Sequence, residues 1–569
     1  LGSHNNKLHA MAFTTILPAF IRSLVLLVGV SRVEVCHVRP VLIDQPLLKL
    51  PAGTFRAERL RPCGGSGPSY LRLRGVQYAE HPVGELRWRP PVPFRETSGV
   101  ERTAVRDATT WGADCIQGQA WYWKIVSIGF HKQSEACLFL NVWAPELPPN
   151  ATTSLPVLFW IHGGSFVGGG STAYPGDDVM ASRQGAIYVT VNYRLGAFGF
   201  LGGSAVARGS GDGSAGNFGL QDTRQALRWV QRNIAALGGD PKRVTIFGES
   251  SGASLVETHM VTPRSFGLFS GAIMESGPFD NYTVQVDPEV AFKDLADRTS
   301  CSAQGYSDEA VACLRELPLD PDLPFRPSLR SAAIATADQG YFSPVIDGVE
   351  LLATPEVLAA TGHIAPIQGV IIGTNRDEGR FMLPTEETLE GAPFSSQKQF
   401  LKWLETEWPG SAYDIAARYP PASPVDPARY WKVAVNIYTD AEYLCPSRRS
   451  GHWLLRSGKV AKQRVFIYRM MYEPSYYVSY GRAWYWWYFC KTWFPCSAMK
   501  LRFGSAHGAE VPMVWAREEM FNKTDARLAK RMLTWWQQFA ESFNPGQADD
   551  AVWPSFSPGN VTFLFDTNS

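Results

Sequence analysis

Gly248-Glu249-Ser250-Ser251-Gly252 follows a short apolar run, Val244-Thr245-Ile246-Phe247, and precedes a helix-compatible stretch. A G-x-S-x-G pentapeptide at such a strand-to-helix turn presents a nucleophile. The turn is so sharp that a Cβ two positions either side of the serine would strike neighbouring backbone. The serine itself takes up strained geometry that leaves its hydroxyl exposed. The chemistry open to such a hydroxyl is acyl transfer, which also requires oxyanion donors, a base and a carboxylate that orients the base.

Each requirement has a candidate in the chain order serine, acid, histidine. Pro156-Val157-Leu158-Phe159-Trp160-Ile161 reads as a fully buried strand running directly into His162-Gly163-Gly164-Ser165-Phe166. There the side-chain-free Gly163 and Gly164 let two backbone N–H groups converge on one oxygen, and the N–H of Ser251 completes the oxyanion hole. Val370-Ile371-Ile372 is another buried strand, and the loop reading after it, Gly373-Thr374-Asn375-Arg376-Asp377-Glu378-Gly379, carries two acids. Loops beyond strand ends host catalysis, but spacing alone does not choose between Asp377 and Glu378. Of the ten histidines, His507 lies downstream of both other members, among the small residues of Gly504-Ser505-Ala506-His507-Gly508-Ala509.

The elements that must hold these groups alternate between strand and helix periodicity. Ala226, Leu227, Val230 and Ile234 fall mostly at three- and four-residue intervals, and Gly238-Gly239 stops that helix before the elbow strand, giving a βα repeat. Val465-Phe466-Ile467-Tyr468 predicts a late strand. Leu528, Met532, Trp536, Phe539 and Phe543 predict a closing amphipathic helix ended by Asn544-Pro545-Gly546. The Gly- and Ser-rich stretch from Gly209 to Gly216 reads as a surface loop. The expected architecture is α/β, a mostly parallel central sheet flanked by helices. With 569 residues, 45% apolar content and a net charge of +1, the chain can bury one large core and presents no basic footprint for nucleic acid.

The residues resemble the type-B carboxylesterase and cholinesterase family, which has the α/β-hydrolase fold. The resemblance runs from about Arg72 to Phe556. It includes Ser134-Glu135-Ala136-Cys137-Leu138-Phe139-Leu140-Asn141, His162-Gly163-Gly164, Val191-Asn192-Tyr193-Arg194-Leu195, Gly216-Asn217-Phe218-Gly219-Leu220-Gln221-Asp222, Gly238-Gly239-Asp240-Pro241 and the elbow. It implies that Ser250 is the nucleophile, Glu378 rather than Asp377 the acid, His507 the base, and Gly163, Gly164 and Ser251 the oxyanion donors. It also implies bonds between Cys115 and Cys137 and between Cys301 and Cys313, matching two of the family's disulfide loops. Ala136 stands where the family usually has Asp, Ser251 where it has Ala, and Ala253 where it has Gly. None of these departures touches the triad.

The implied activity is hydrolysis of carboxylic esters, small-molecule or lipid, through an acyl-enzyme, with no metal or cofactor. A non-catalytic adhesion protein of the same fold is the alternative from another class, and the intact triad argues against it. Choline esterases and lipases are narrower alternatives within the family. Trp121 and Trp123 lie in the first disulfide loop but too early to align with a choline-binding tryptophan, and they read as packing. The aromatic run from Tyr476 to Cys496, bounded at its end by Cys490 and Cys496, reads as an acyl-pocket wall or apolar lid, or else as a core plug.

Residues 1–31 read as a leader. Met11 is the expected start, and Arg22 precedes the apolar run Leu24 to Val30 and a small-residue cleavage site at Gly29 and Ser31. One catalytic domain is expected over 32–569, secreted and without a stable membrane span. Sequons at Asn150, Asn281, Asn522 and Asn560 and a count of nine cysteines fit an oxidising compartment. Cys36, Cys63 and Cys445 have no assigned pairing.

Overall fold

Two-residue alternation along the buried strands sorts their side chains onto opposite faces, and helices cover both. The computed structural model describes residues 40–62, 68–94, 104–118, 132–148, 154–277, 287–320, 328–338, 340, 342–383, 394, 396–426, 428–475, 504–517 and 520–566. The leader, Asn150, Asn281, Trp121, Trp123, Cys36, Cys63 and the Tyr476–Cys496 run lie outside these residues.

Among the described residues the main sheet has eleven strands. They are β1 (Val41–Asp44), β2 (Glu58–Arg61), β3 (Tyr70–Gln77), β4 (Phe139–Pro145), β5 (Leu155–Ile161), β6 (Ile187–Val191), β7 (Gly239–Glu249), β8 (Gly271–Glu275), β9 (Gly369–Asn375), β10 (Val465–Met470) and β11 (Phe563–Phe565). Their order is β1-β2-β3-β4-β6-β5-β7-β8-β9-β10-β11. Pairings from β1 to β6 are antiparallel. From β6 onward all are parallel, so the strands that carry the candidate site all point the same way. Strands β7 and β9 extend beyond the apolar cores that announce them. Gly373, Thr374 and Asn375, expected in a loop, are the last residues of β9.

Val157, Phe159, Ile161, Val244, Ile246, Ala272, Met274, Val370 and Ile372 face one core, and Leu158, Trp160, Phe247, Ile273 and Ile371 the other. On the first face lie α1 (Phe218–Asn233) and α2 (Ser251–Val261), which contribute Ala226, Leu227, Val230, Val256 and Met260. The second is covered by α3 (Lys523–Ser542), which buries Leu528, Met532, Trp535, Trp536 and Phe539. Each such side chain contributes about 1.5–3 kcal/mol by leaving water. The caps follow local chemistry. Asn522 accepts from the N–H groups of Thr524 and Asp525 to start α3, and Phe543, at φ 58°, ends it in the left-handed region. After α1 a short 3₁₀ turn, Ile234–Leu237, leads to Gly238 at φ 83° and then into β7. The expected loop from Gly209 to Gly216 is only partly one: Ser210 still belongs to the helix Ser204–Ser210, and Ser214, Ala215 and Gly216 are buried. Ser214 is held there by hydrogen bonds to Asp212 and Gln221.

Pro40–Ser569 forms one compact unit. No helix among the described residues is long and apolar enough to cross a membrane. Cys115 is bonded to Cys137 and Cys301 to Cys313, while Cys445 is unpaired and exposed.

Candidate active site

Four neighbouring strands end at the site. Strand β7 ends at Glu249, and Ser250 follows with φ 58° and ψ −129°, a conformation that costs a non-glycine residue on the order of 1–3 kcal/mol. The turn persists because its surroundings fix it. The Ser250 N–H donates to the Glu275 carbonyl at the end of β8, and the Ser250 carbonyl accepts from Ser254 N–H as α2 begins. The flanking glycines are obligatory: a Cβ on Gly252 would lie 2.1 Å from the Ile161 carbonyl oxygen, and one on Gly248 2.6 Å from the same atom.

The loop after β5 reaches the serine directly. A Cβ on Gly163 would stand 3.1 Å from Ser250 Cβ, which places the glycine backbone beside the hydroxyl. Gly164 has φ +124°, and Ser165 and Phe166 also have positive φ, so the loop is held in a left-handed bend. Its supports are visible. His162 stacks on Tyr193 with ring centroids 4.5 Å apart, the Tyr193 hydroxyl donates to the His162 carbonyl at 2.8 Å, and Phe166 N–H donates to Ser251 Oγ at 3.2 Å. Burial lowers the pKa of His162 to about 4, so it is neutral and serves the loop's shape.

Glu378 is fully buried just beyond β9. Its Oε1 accepts from Ser276 Oγ and from Asn375 N–H, each at 2.6 Å, and its Oε2 lies 2.8 Å from His507 Nδ1. Asp377, which sequence spacing left in competition, turns away to pair with Arg376 at 2.7 Å and Arg380 at 3.4 Å. The other imidazole nitrogen, His507 Nε2, lies 3.2 Å from Glu249 Oε1, which sets the ring against the elbow. Burial acts to lower the pKa of His507, but the carboxylates of Glu249, Glu378 and Glu510 override it and raise it to about 9. Burial likewise raises Glu249 to about 7, countered by His507, and raises Glu510 to about 8, with Glu249 and Glu378 adding to the shift.

Three contributors were not singled out from sequence. Ser276, at φ 54°, orients Glu378 from the end of β8. Glu275, whose Oε1 accepts from Trp536 Nε1 at 2.9 Å, and Glu510, whose Oε2 accepts from Asn375 Nδ2 at 2.5 Å, are buried acids behind the histidine. The available signal was an acid placed inside or beside an apolar strand end, as in Ala272-Ile273-Met274-Glu275-Ser276.

A strained serine beside a glycine loop, with an imidazole held by a buried carboxylate, is the constellation of acyl transfer. The chain belongs to the carboxylesterase family, whose model matches residues 44–568. It is a carboxylic-ester hydrolase of the α/β-hydrolase fold. It is 32% identical over 505 residues to the cocaine esterase of Oryctolagus cuniculus, covering 85% of each chain. It is 29% identical to that of Homo sapiens, covering 86% of this chain and 83% of the relative. It is 30% identical over 550 residues to the cholinesterase of Mus musculus, covering 91% and 82%.

Proposed function

We propose that this chain is a secreted serine esterase in which Ser250 is the nucleophile, His507 the general base and Glu378 the carboxylate that orients it. The observation that carries this reading is the 2.8 Å contact between His507 Nδ1 and Glu378 Oε2, with Nε2 of the same ring at the elbow. In the neutral form His507 takes the Ser250 proton as Oγ attacks the ester carbonyl. The carbonyl oxygen becomes an oxyanion held by the N–H groups of Gly163, Gly164 and Ser251. The imidazolium then protonates the leaving alcohol, and water, activated by the same base, releases the acid and restores the serine. In support, neither Gly163 N–H nor Gly164 N–H donates to an acceptor among the described residues. Losing one such donor costs about 100-fold or more in turnover.

The substrates are small-molecule or lipid carboxylic esters, a reading supported by relatives named as cocaine esterases and a cholinesterase. The proposed organisation is a leader over 1–31 and one catalytic domain over 32–569, with glycans at Asn150, Asn281, Asn522 and Asn560. Asn522 and Asn560 are exposed, and the two disulfides suit export.

An organophosphonate mimics the tetrahedral state and is captured only by an activated serine. Intact-mass and peptide mapping should place one label on Ser250, with none in Ser250→Ala. A label on Ser251, or undiminished labelling of the variant, would overturn the assignment.

A further inference from the structure

Away from the elbow, one face of α1 lines a cavity of about 320 Å³ with Gln221, Arg224 and Arg228 at successive turns. Arg264 and the Pro90-Pro91 segment close it, and Asp212 and Glu350 complete its wall. The volume holds about ten water-sized groups.

The charges in this wall do not balance. Glu350 is fully buried and saturated: Arg224 grips both its oxygens, at 2.5 and 2.7 Å, and Arg264 Nη1 and Gln221 Nε2 donate to Oε1 at 2.8 and 3.1 Å. Asp212 is also fully used, its Oδ1 by Ser214 N–H and Oγ and by Ser210 Oγ, its Oδ2 by Arg264 at 3.1 Å. Three guanidinium groups therefore face two carboxylates. The cation without a direct partner is Arg228, an exposed residue whose side chain makes no hydrogen bond or ion pair with any described residue. Partial burial lowers the pKa of Arg228, and Arg224, Arg232 and Arg264 lower it further against the opposing pull of the Glu350 carboxylate. An arginine crowded by like charges at the mouth of a cavity gains most from an anion that its planar fork can grip. Arg264 is only partly covered, and its guanidinium reaches the same space.

We propose that this cavity is a binding site for a small oxyanion, a carboxylate or a phosphate, held between Arg228 and Arg264 and separate from the ester-cleaving site. The buried Arg224–Glu350 pair is its floor, and Glu350 holds Arg264 in place. Asp212 keeps the pocket from being so positive that any anion would serve, and the proline segment limits the ligand's size. The inference rests on the wall of this cavity alone, and it stands or falls independently of the roles given to Ser250, Glu378 and His507.

Isothermal titration of the full-length protein with inorganic phosphate, citrate and acetate, each against sodium chloride of equal ionic strength, tests it. One saturable site is expected for at least one of the three. Phosphate alone would mark the ligand as a phosphate, and citrate or acetate alone as a carboxylate. Arg228→Gln removes a cation that supports nothing else in the fold, so its melting temperature without ligand should match that of the parent. Its affinity should fall about tenfold or more, as expected for a lost charge-assisted pair. Arg264→Gln, which also gives up contacts to Asp212 and Glu350, should weaken binding as well. No saturable heat beyond the chloride control for any of the three anions, or unchanged affinity in Arg228→Gln, would refute the site.

Discussion

Glu249→Gln should move the pH profile of ester hydrolysis toward acid. In the proposed mechanism the base form of His507 is required, so kcat/KM should rise with pH through the imidazole's pKa in the free enzyme. Raising that pKa from its ordinary 6.5 to about 9 corresponds to roughly 3 kcal/mol of preference for the cation. Two unit charges 3.2 Å apart, the separation of His507 Nε2 and Glu249 Oε1, attract by roughly 5 kcal/mol at an effective dielectric of 20, and burial of the ring consumes part of this. The Glu249 charge is the largest single upward influence, followed by the hydrogen bond and the charge of Glu378 and by the charge of Glu510. Glutamine keeps the shape and removes the charge, so the midpoint should drop by at least about one pH unit. Stopped assays of a p-nitrophenyl ester, corrected for spontaneous hydrolysis between pH 5 and 10, read it directly. An unchanged midpoint in a folded, phosphonate-reactive variant would show that Glu249 does not set the charge state of the base. A midpoint shifted toward alkali would reverse the sign and refute the reasoning.

Glu378→Gln should reduce kcat by several orders of magnitude while Asp377→Asn leaves it within a few-fold, because of these two adjacent acids only Glu378 touches the imidazole; comparable losses in the two variants would return the acid assignment to question. Glu257 on α2 is fully buried, neither of its carboxylate oxygens has a hydrogen-bond partner among the described residues, and burial raises its pKa well above 4.5. Its protonated form therefore favours the fold below the unfolded pKa, and that advantage is lost as pH rises through the folded value. Glu257→Gln should gain melting temperature over the parent progressively above pH 5, measured by differential scanning fluorimetry, and a constant difference across pH would count against it. Non-reducing peptide maps of secreted protein should show Cys115 with Cys137 and Cys301 with Cys313. Reduction should then lower stability by about 2–5 kcal/mol per bridge, visible as an earlier calorimetric transition.

Much of the fold was legible because burial writes itself into sequence as uninterrupted apolar strands: Val157 to Ile161, Val244 to Phe247 and Val370 to Ile372 each announced a central strand. The stop at Gly238 was legible for a different reason, since its φ of 83° favours glycine. Strand ends were less so. Gly373-Thr374-Asn375 has turn-forming composition, yet it pairs with Tyr468, Arg469 and Met470 because a neighbouring strand offers it hydrogen bonds. The choice between Asp377 and Glu378 could not come from spacing, because adjacent acids differ only in where the chain turns them, and Arg376 and Arg380 capture one. Ser276 was invisible because its importance lies in touching a residue about a hundred positions away. The arginine cavity was hidden for the same reason, drawing its wall from segments scattered between Pro90 and Glu350.

The parallel register of β7, β8 and β9, in which Glu249 lies beside Glu275 and Glu275 beside Gly373, makes the sheet a ruler for the reaction. Neighbouring strands stand about 4.8 Å apart, so the ends that deliver Ser250 and Glu378 are separated by roughly 10 Å. No serine hydroxyl and carboxylate can meet across that gap, and a ring with a nitrogen at each side can bridge it. The proposed proton route is thus measured out in units of sheet spacing. Cutting a connecting loop leaves that measure intact, because the strands keep their places through each other, whereas sliding one strand by a single residue would turn its side chains to the opposite face and break the route while leaving every participant present.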